Sequence, residues 1–436
     1  MPIVKISDFL TRVKKPIDIK DDERYKRITI KINHLGVLLR DIQEGHLIGT
    51  KKQFVVSKGQ FILSKIDAMN GAFGIVSDDL DNAIITGNFW TFDFDDNKVN
   101  LDWFNLFTSS NEFVEICRKA SSGTTHRKYL DEKKFNNYEL ELPDKKSQAE
   151  VVKKIKAIVV YQGQIKNEIE SQVQAISALK QSILQDAIKG KLIPQDPNDE
   201  SAEKLLDKIK IEKEKLINEG KIKKENLLSF VLEKEIPFEL PKGWKWSRAE
   251  NFCTQITDGT HHTPTYVQSG IPFLSVKDLT GGKLEFNNSK FIAEAEHLEL
   301  SKRCHPEFNN ILLTKVGTTG IARIVDTKEE FSIFVSLSLL KFNADFIDPH
   351  YLELCINSPY VRKLSKDGTE GIGNKNLVLR KIKSFLIPIP PINEQKRIVE
   401  KVHSLMKICD EQEKNINEAK ENINKLNQSI LREMFV

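Results

Sequence analysis

The sequence predicts two globular α/β (α+β) modules, each followed by a long helix, with the two helices packed on one another. Three observations carry this: a repeat through both halves, a heptad stripe in each copy of its most regular part, and glycine-broken apolar runs before each stripe. At about 150 residues per domain, 436 residues leave room for about three units. With 39% hydrophobic and 29% charged residues, the composition is that of a chain with buried cores, and excludes collagen-like and wholly disordered classes.

The first module is expected over residues 1–142. Its apolar run Phe61, Leu63, Lys65 and Ile66 recurs as Ile311, Leu313, Lys315 and Val316. After one gap, Gly71, Ile75 and Val76 recur as Gly320, Ile324 and Val325. Such runs with a glycine between them read as strands joined by a tight turn. Further on, Ser122, Gly123 and Thr124 parallel Asp367, Gly368 and Thr369, shortly before each long helix.

A central region follows over residues 143–236. Leu179, Gln181, Ser182, Ile183 and Leu184 return 247 positions later as Leu426, Gln428, Ser429, Ile430 and Leu431. That offset holds without a gap over 47 positions with 11 identities, among them Pro143/Pro390 and Gln148/Gln395. In the first copy Ile155, Gln162, Ile169, Ile176 and Ile183 fall seven apart, with Ile158, Ile165 and Leu179 three residues after their partners. In the second copy Val402, Cys409, Ile416, Ile423 and Ile430 do the same, with Leu405, Ala419 and Leu426 as companions. A stripe of this period must be buried against another helix. A coiled-coil homodimer satisfies it; two matching helices in one chain favour pairing within the chain. The first helix is expected over about 145–190, then a turn through Pro194 and Pro197, then a second, charge-rich helix over about 201–232. The second module is expected over residues 237–389 and its long helix over 390–436.

Motifs for catalysis are near-misses. Asn357, Ser358, Pro359 and Tyr360 approximate the Asn-Pro-Pro-Tyr loop of adenine methyltransferases but lack the first proline, and no glycine-rich loop for a methyl donor precedes them. A helix end or turn is the simpler role. The glycines at 368, 371 and 373 are followed by Asn374 and Lys375, without the Gly-Lys-Ser/Thr of a P-loop. His261–His262 and Cys304–His305 are the clustered soft ligands, and neither has the four-ligand spacing of a zinc site. No metal and no catalytic residue is therefore expected. The five scattered cysteines read as free thiols. With neither a signal peptide nor an apolar run long enough to span a bilayer, the cytoplasm is the expected location.

Lys and Arg exceed Asp and Glu by only four overall, but local charge is uneven. Residues 118–134 carry a net +4 and residues 362–383 a net +5, at equivalent places of the two halves. Cationic loops rich in Gly, Ser, Thr and Asn suit phosphate contact and base-edge hydrogen bonding. For contact with DNA the candidates are Gly123, Thr124, His126 and Arg127 in the first half, and Lys375 and Asn376 in the second. Lys65 and Lys315 at matched strand ends are candidate phosphate contacts, beside the turn glycines Gly71 and Gly320. The loop carrying His261 and His262 is a further candidate. Residues alone reach a duplicated DNA-binding adaptor. A self-contained methyltransferase or nuclease, and a coiled-coil scaffold without DNA specificity, are the alternatives.

Gly190-Lys-Leu-Ile-Pro194-Gln-Asp-Pro197, Pro237-Phe-Glu-Leu-Pro241-Lys-Gly243-Trp244 and Ile387-Pro-Ile-Pro390-Pro391 followed by Glu394-Gln395 complete a pattern that resembles the specificity (S) subunit of type I restriction–modification enzymes. The resemblance covers essentially the whole chain. The first module's exit, Leu142-Pro143 to Gln148, departs from it by lacking the second proline and the glutamate. The resemblance implies that each module is a target recognition domain for one half of a split double-stranded DNA sequence. It implies that the helices form an antiparallel coiled coil, a pseudo-twofold ruler between the domains. It further implies docking of two modification subunits and of restriction subunits. Those partners would use S-adenosylmethionine, ATP and Mg, so the chain itself takes no cofactor.

Overall fold

In the computed structural model, which describes residues 2–124, 127–223, 231–371 and 375–433, the chain divides into two compact units. The first comprises residues 1–170 with 417–436, the second residues 171–416. No described helix is long and apolar enough to cross a membrane. All five cysteines are free and buried.

In the first unit β1 (Leu10–Val13), β2 (Phe61–Ser64), β3 (Phe73–Ile75) and β4 (Phe89–Phe94) form an antiparallel sheet in the order β1-β4-β2-β3. β2 is buried at every residue, which is why it reads as an unbroken apolar run and not an alternation. Helices α1 (Leu101–Thr108) and α2 (Asn111–Lys119) lay Phe104, Phe107, Phe113 and Ile116 on this sheet. Each starts at a side chain that accepts a backbone N–H, Asn100 from Trp103 at 3.1 Å and Ser110 from Phe113 at 3.3 Å. The hairpin β5 (Ser121–Thr124) and β6 (Arg127–Leu130) follows α2. A second, five-stranded sheet runs from Pro16–Asp18 to its edge strand Val37–Glu44. The long helix α3 (Lys145–Ile188) then begins, and α4 (Ala202–Asn218) lies in the second unit.

The second unit repeats the plan. β7 (Cys253–Asp258), β8 (Ile311–Thr314), β9 (Ala322–Ile324) and β10 (Leu337–Phe342) form a sheet in the order β7-β10-β8-β9. A smaller sheet of four short strands, one of them Ser332–Ile333, lies beside it. Between Lys290–Ile292, a strand of the smaller sheet, and β8 lies α5 (Glu294–Ser301). Helices α6 (Pro349–Asn357) and α7 (Pro359–Asp367) are capped by Asp348 and Ser358 at the places of Asn100 and Ser110. The hairpin β11 (Thr369–Glu370) and β12 (Asn376–Leu377) follows, and α8 (Ile392–Glu433) closes the chain. The Asn357–Tyr360 stretch is thus a helix–helix turn. Asn357 Oδ1 accepts from Ala322 N at 3.0 Å and its Nδ2 donates to Ala322 O at 3.0 Å, so its amide is engaged by backbone.

The shared glutamines explain how each long helix is tied to its module. Gln148 is fully buried; its Oε1 accepts from Asn100 N at 2.6 Å and its Nε2 donates to Pro143 O and Lys98 O. Gln395, also fully buried, repeats the set with Asp348 N at 2.8 Å, Pro390 O and Phe346 O. One side chain therefore joins the start of a long helix to the start of the first sheet-packing helix. Gln395→Ala leaves several of these buried groups without partners, and the expected loss is about 1–3 kcal/mol, read by urea unfolding of the full chain.

The two cores fill the same frame with different side chains. Phe61, Phe104, Phe107 and Phe113 meet in edge-to-face contacts, with Phe61 and Phe104 centroids 5.0 Å apart at 84°. The corresponding positions hold Ile311, Leu352, Cys355 and Val361, and this core also takes in Ala202, Leu205 and Ile209 of α4.

The helix stripe is largely buried. Ile155, Ile183, Val402 and Ile416 are buried, and Ile169, Ile176 and Ile423 half-buried; the side chain of Ile430 lies outside the described residues. In the second unit, Ile183, Leu184 and Ala187 of α3 pack with Ile398, Val399, Val402 and Cys409 of α8. Lys180 Nζ meets Asp410 at 2.7 Å and Glu413 at 2.9 Å, and Gln195 Nε2 donates to Glu394 Oε1 at 3.2 Å. Advancing from 180 to 195 moves the partner back from 410 to 394, so this pairing is antiparallel. The expected companion row differs: Ile165, Leu179 and Leu426 are exposed. At the end of α3 the apolar face widens instead, because Trp244 and Tyr351 of the module join the cluster. A second difference is α4, which stops at Asn218 and does not run to 232. Gly220 takes φ +70° there, and its N–H and that of Lys221 turn back to Ile217 O and Leu216 O, closing the helix.

Candidate nucleic-acid interface

The two hairpins are built and held alike. Each follows a sheet-packing helix, and each is pinned by one backbone bond to the lysine ending a central strand. Leu130 N donates to Lys65 O at 2.8 Å, and Leu377 N donates to Lys315 O at 2.9 Å. Strand register pairs Ser121 with Leu130 and Thr369 with Leu377. Gly123 therefore corresponds to Gly371, both with positive φ, and not to Gly368 as matching text suggests. Gly368 instead ends α7 as Ala120 ends α2.

On the first hairpin Gly123, Lys128 and Tyr129 are exposed, and Lys134 Nζ donates to Ser122 Oγ at 2.8 Å. His126 lies outside the described residues, as do the side chains of Thr124 and Arg127. On the second, Lys375 is exposed and Asn376 half-buried in β12, while Arg380 pairs with Glu370 at 3.0 Å. The exposed Lys128 and Tyr129 were not singled out from sequence, although both lie inside the cationic stretch that was. The two turn glycines are structural. Gly320 has φ +84°, and a Cβ there would lie 2.6 Å from the Cβ of Ser365 on α7. Gly71, at φ +78°, ends a tight turn beside His34.

The matched lysines part company. Lys65 is half-buried at the surface. Lys315 is 2% exposed, and its Nζ donates to Asp258 Oδ2 at 2.5 Å, so it is no surface cation and its expected role as a phosphate contact does not fit. The cause lies two strands away in the sheet, at the end of β7. Thr91 faces Val13 in the first sheet as Leu339 faces Thr257 in the second, and the next residues are Lys14 and Asp258. A buried carboxylate thus draws Lys315 inward, where the first module offers a lysine. Asp258 also receives Arg303 and lies 3.3 Å from His261 Nε2. Burial alone would raise its pKa; the Lys315 bond and charge, with His261 and Arg303, overcome that and hold it below the usual value.

Lys315 joins two candidate elements. Its carbonyl holds the hairpin β11–β12, and its ammonium holds Asp258, where the 258–263 loop leaves β7. His261 and His262 are exposed on that loop, with His262 Nδ1 2.9 Å from Thr260 Oγ1. Gly259 lets the loop lie against Ile333, whose carbonyl oxygen would sit 2.0 Å from any Cβ there. Burial pushes the Cys253 and Cys304 thiols up to about 12, away from the reactive thiolate.

The family model of the type I restriction modification DNA specificity domain matches residues 1–175 and 241–422. The type I restriction enzyme EcoEI specificity subunit of Escherichia coli is 25% identical over 380 residues, covering 74% of this chain and 63% of that protein. The EcoAI specificity subunit of Escherichia coli is 30% identical over 257 residues, covering 57% of this chain and 42% of that protein. The chain thus spans less than two thirds of the length of these curated relatives. Among solved structures, the HsdS subunit from Thermoanaerobacter tengcongensis aligns over 100% of this chain and 96% of its own, with a TM-score of 0.58 and 16% identity. A chain from a structure on complex assembly and conformational transition of the type I R-M system aligns over 100% and 97%, with a TM-score of 0.62 and 15% identity. At these identities the structures speak for the fold alone.

Proposed function

The chain belongs to the type I restriction modification DNA specificity family, and from that premise we propose that it is the non-catalytic specificity subunit of a type I restriction–modification complex. Each module reads one half of a split double-stranded DNA target, and the paired long helices set the distance between the halves. Modification subunits, two in number, and restriction subunits dock on the chain and bring S-adenosylmethionine, ATP and Mg. The complex works in the cytoplasm. The observation that carries this reading is the hairpin in an equivalent place on both modules, within cationic stretches of net +4 and +5.

The test is expression of the chain with and without its modification subunits, followed by methylome sequencing. Together they methylate one bipartite motif; the chain alone methylates nothing. Methylation by the chain alone would restore the self-contained methyltransferase. In the assembled complex, Lys128→Ala and Lys375→Ala each weaken DNA binding and reduce the slope of log affinity against log salt by about one. Unchanged slopes in both variants would remove the hairpins from the interface.

A further inference from the structure

His297, His305 and Glu330 converge in the second unit although they lie in three separate segments: α5, the loop after it, and the loop before strand Ser332–Ile333. His297 is 4% exposed, its Nε2 lies 3.2 Å from Glu330 Oε2, and His305 Nε2 lies 2.8 Å from the same oxygen. One potential ligand atom from each residue falls within 4.8 Å of the others. Around a tetrahedral zinc ion, with bonds of about 2.0–2.1 Å, neighbouring donor atoms stand about 3.3 Å apart.

The orientation of the rings is the second observation. Both imidazoles turn Nε2 to the shared carboxylate and Nδ1 to a different oxygen. For His297 that oxygen is Ser332 Oγ at 2.9 Å, and for His305 it is Glu307 Oε1 at 3.8 Å. His297 has the arrangement of a metal-ligating histidine, one nitrogen turned to the ion's place and the other N–H on an outer oxygen that fixes the ring, while His305 faces the Glu307 carboxylate without a hydrogen bond.

We propose that His297 Nε2, His305 Nε2 and a Glu330 carboxylate oxygen bind one zinc ion, with water completing the coordination. Cys304, next in sequence to a ligand, belongs to the apolar core and is not part of the set. The ion fastens α5 and the loop after it to strand Ser332–Ile333. That strand and the residues after it hold the 258–265 loop: Thr260 N donates to Ile333 O at 3.1 Å and Val335 N to Thr260 O at 3.0 Å. From the other side, Thr265 N donates to Glu296 on α5 at 3.2 Å. Zinc therefore stabilises the loop that presents His261 and His262, whatever that loop touches.

The test is titration of the chelator-treated full chain with zinc chloride, followed by calorimetry and metal analysis. One equivalent is expected, lost in His305→Ala and in Glu330→Gln, two changes at positions exposed enough to leave the fold intact. His350→Ala is the control, because His350 and His403 form another histidine ring pair, with centroids 5.8 Å apart; it should keep the equivalent. Cobalt(II) in place of zinc should give the visible absorption of a tetrahedral ion in the wild-type chain and in His350→Ala, and in neither ligand variant. No uptake by the wild-type chain, or uptake retained by either ligand variant, overturns the site.

Discussion

Replacing residues 237–389 by the corresponding module of a relative should change one half of the methylated motif and leave the other half as it was. Each unit contains its own sheet, its own pair of capped helices, its own buried glutamine and its own hairpin. On the proposed reading each module would position its base contacts without the other copy, and two such readers on one duplex would define two half-sites. The graft must preserve Trp244 and Tyr351, which pack on α3 and α8, and must offer α4 a surface for Leu205 and Ile209. Methylome sequencing of cells carrying the hybrid with its modification subunits gives the readout. A motif rewritten in both halves would end the two-reader architecture.

Asp258→Ala should cost about 3–5 kcal/mol of stability in the second unit, the range for removing one member of a buried ion pair. Lys315, 2% exposed, would be left buried without its ion-pair partner. The double change Asp258→Asn with Lys315→Met should recover most of that loss, because no unpaired charge then remains buried. Acid acts the same way. A carboxylate held below its ordinary value stabilises the fold fully above the unfolded value of 3.8 and loses that contribution as pH falls through the lower folded one. The pH dependence of urea unfolding should therefore be flatter below pH 4 in the double variant than in the wild-type chain. Equal stability of Asp258→Ala and wild type would show that the pair is not buried in solution.

The repeat was legible where insertions had not disturbed it. Gln148 and Gln395 stand out in a gapless alignment, and the structure gives both the same set of hydrogen bonds. Upstream, the spacing between equivalent residues drifts, from 250 at the starts of β2 and β8 to 248 at the caps Ser110 and Ser358. That drift explains why similar text misplaced the second hairpin by three residues. The heptad stripe marked the buried row well, but its companion row assumed a helix that meets only another helix; at the end of α3 the module itself is a third surface.

Sequence by itself determined the duplication, the long paired helices and the cationic stretches that begin in the second sheet-packing helix of each half. These are carried by periodicity, by capping residues and by repeated text, all of which act over a few turns of chain. Tertiary structure alone decided that Lys315 points inward while Lys65 does not, and that His297, His305 and Glu330 meet. Those outcomes depend on which residue a strand two places away in the sheet presents and on how loops of different length close. A buried carboxylate at the end of one strand reverses the fate of a lysine two strands away, and no local pattern records it.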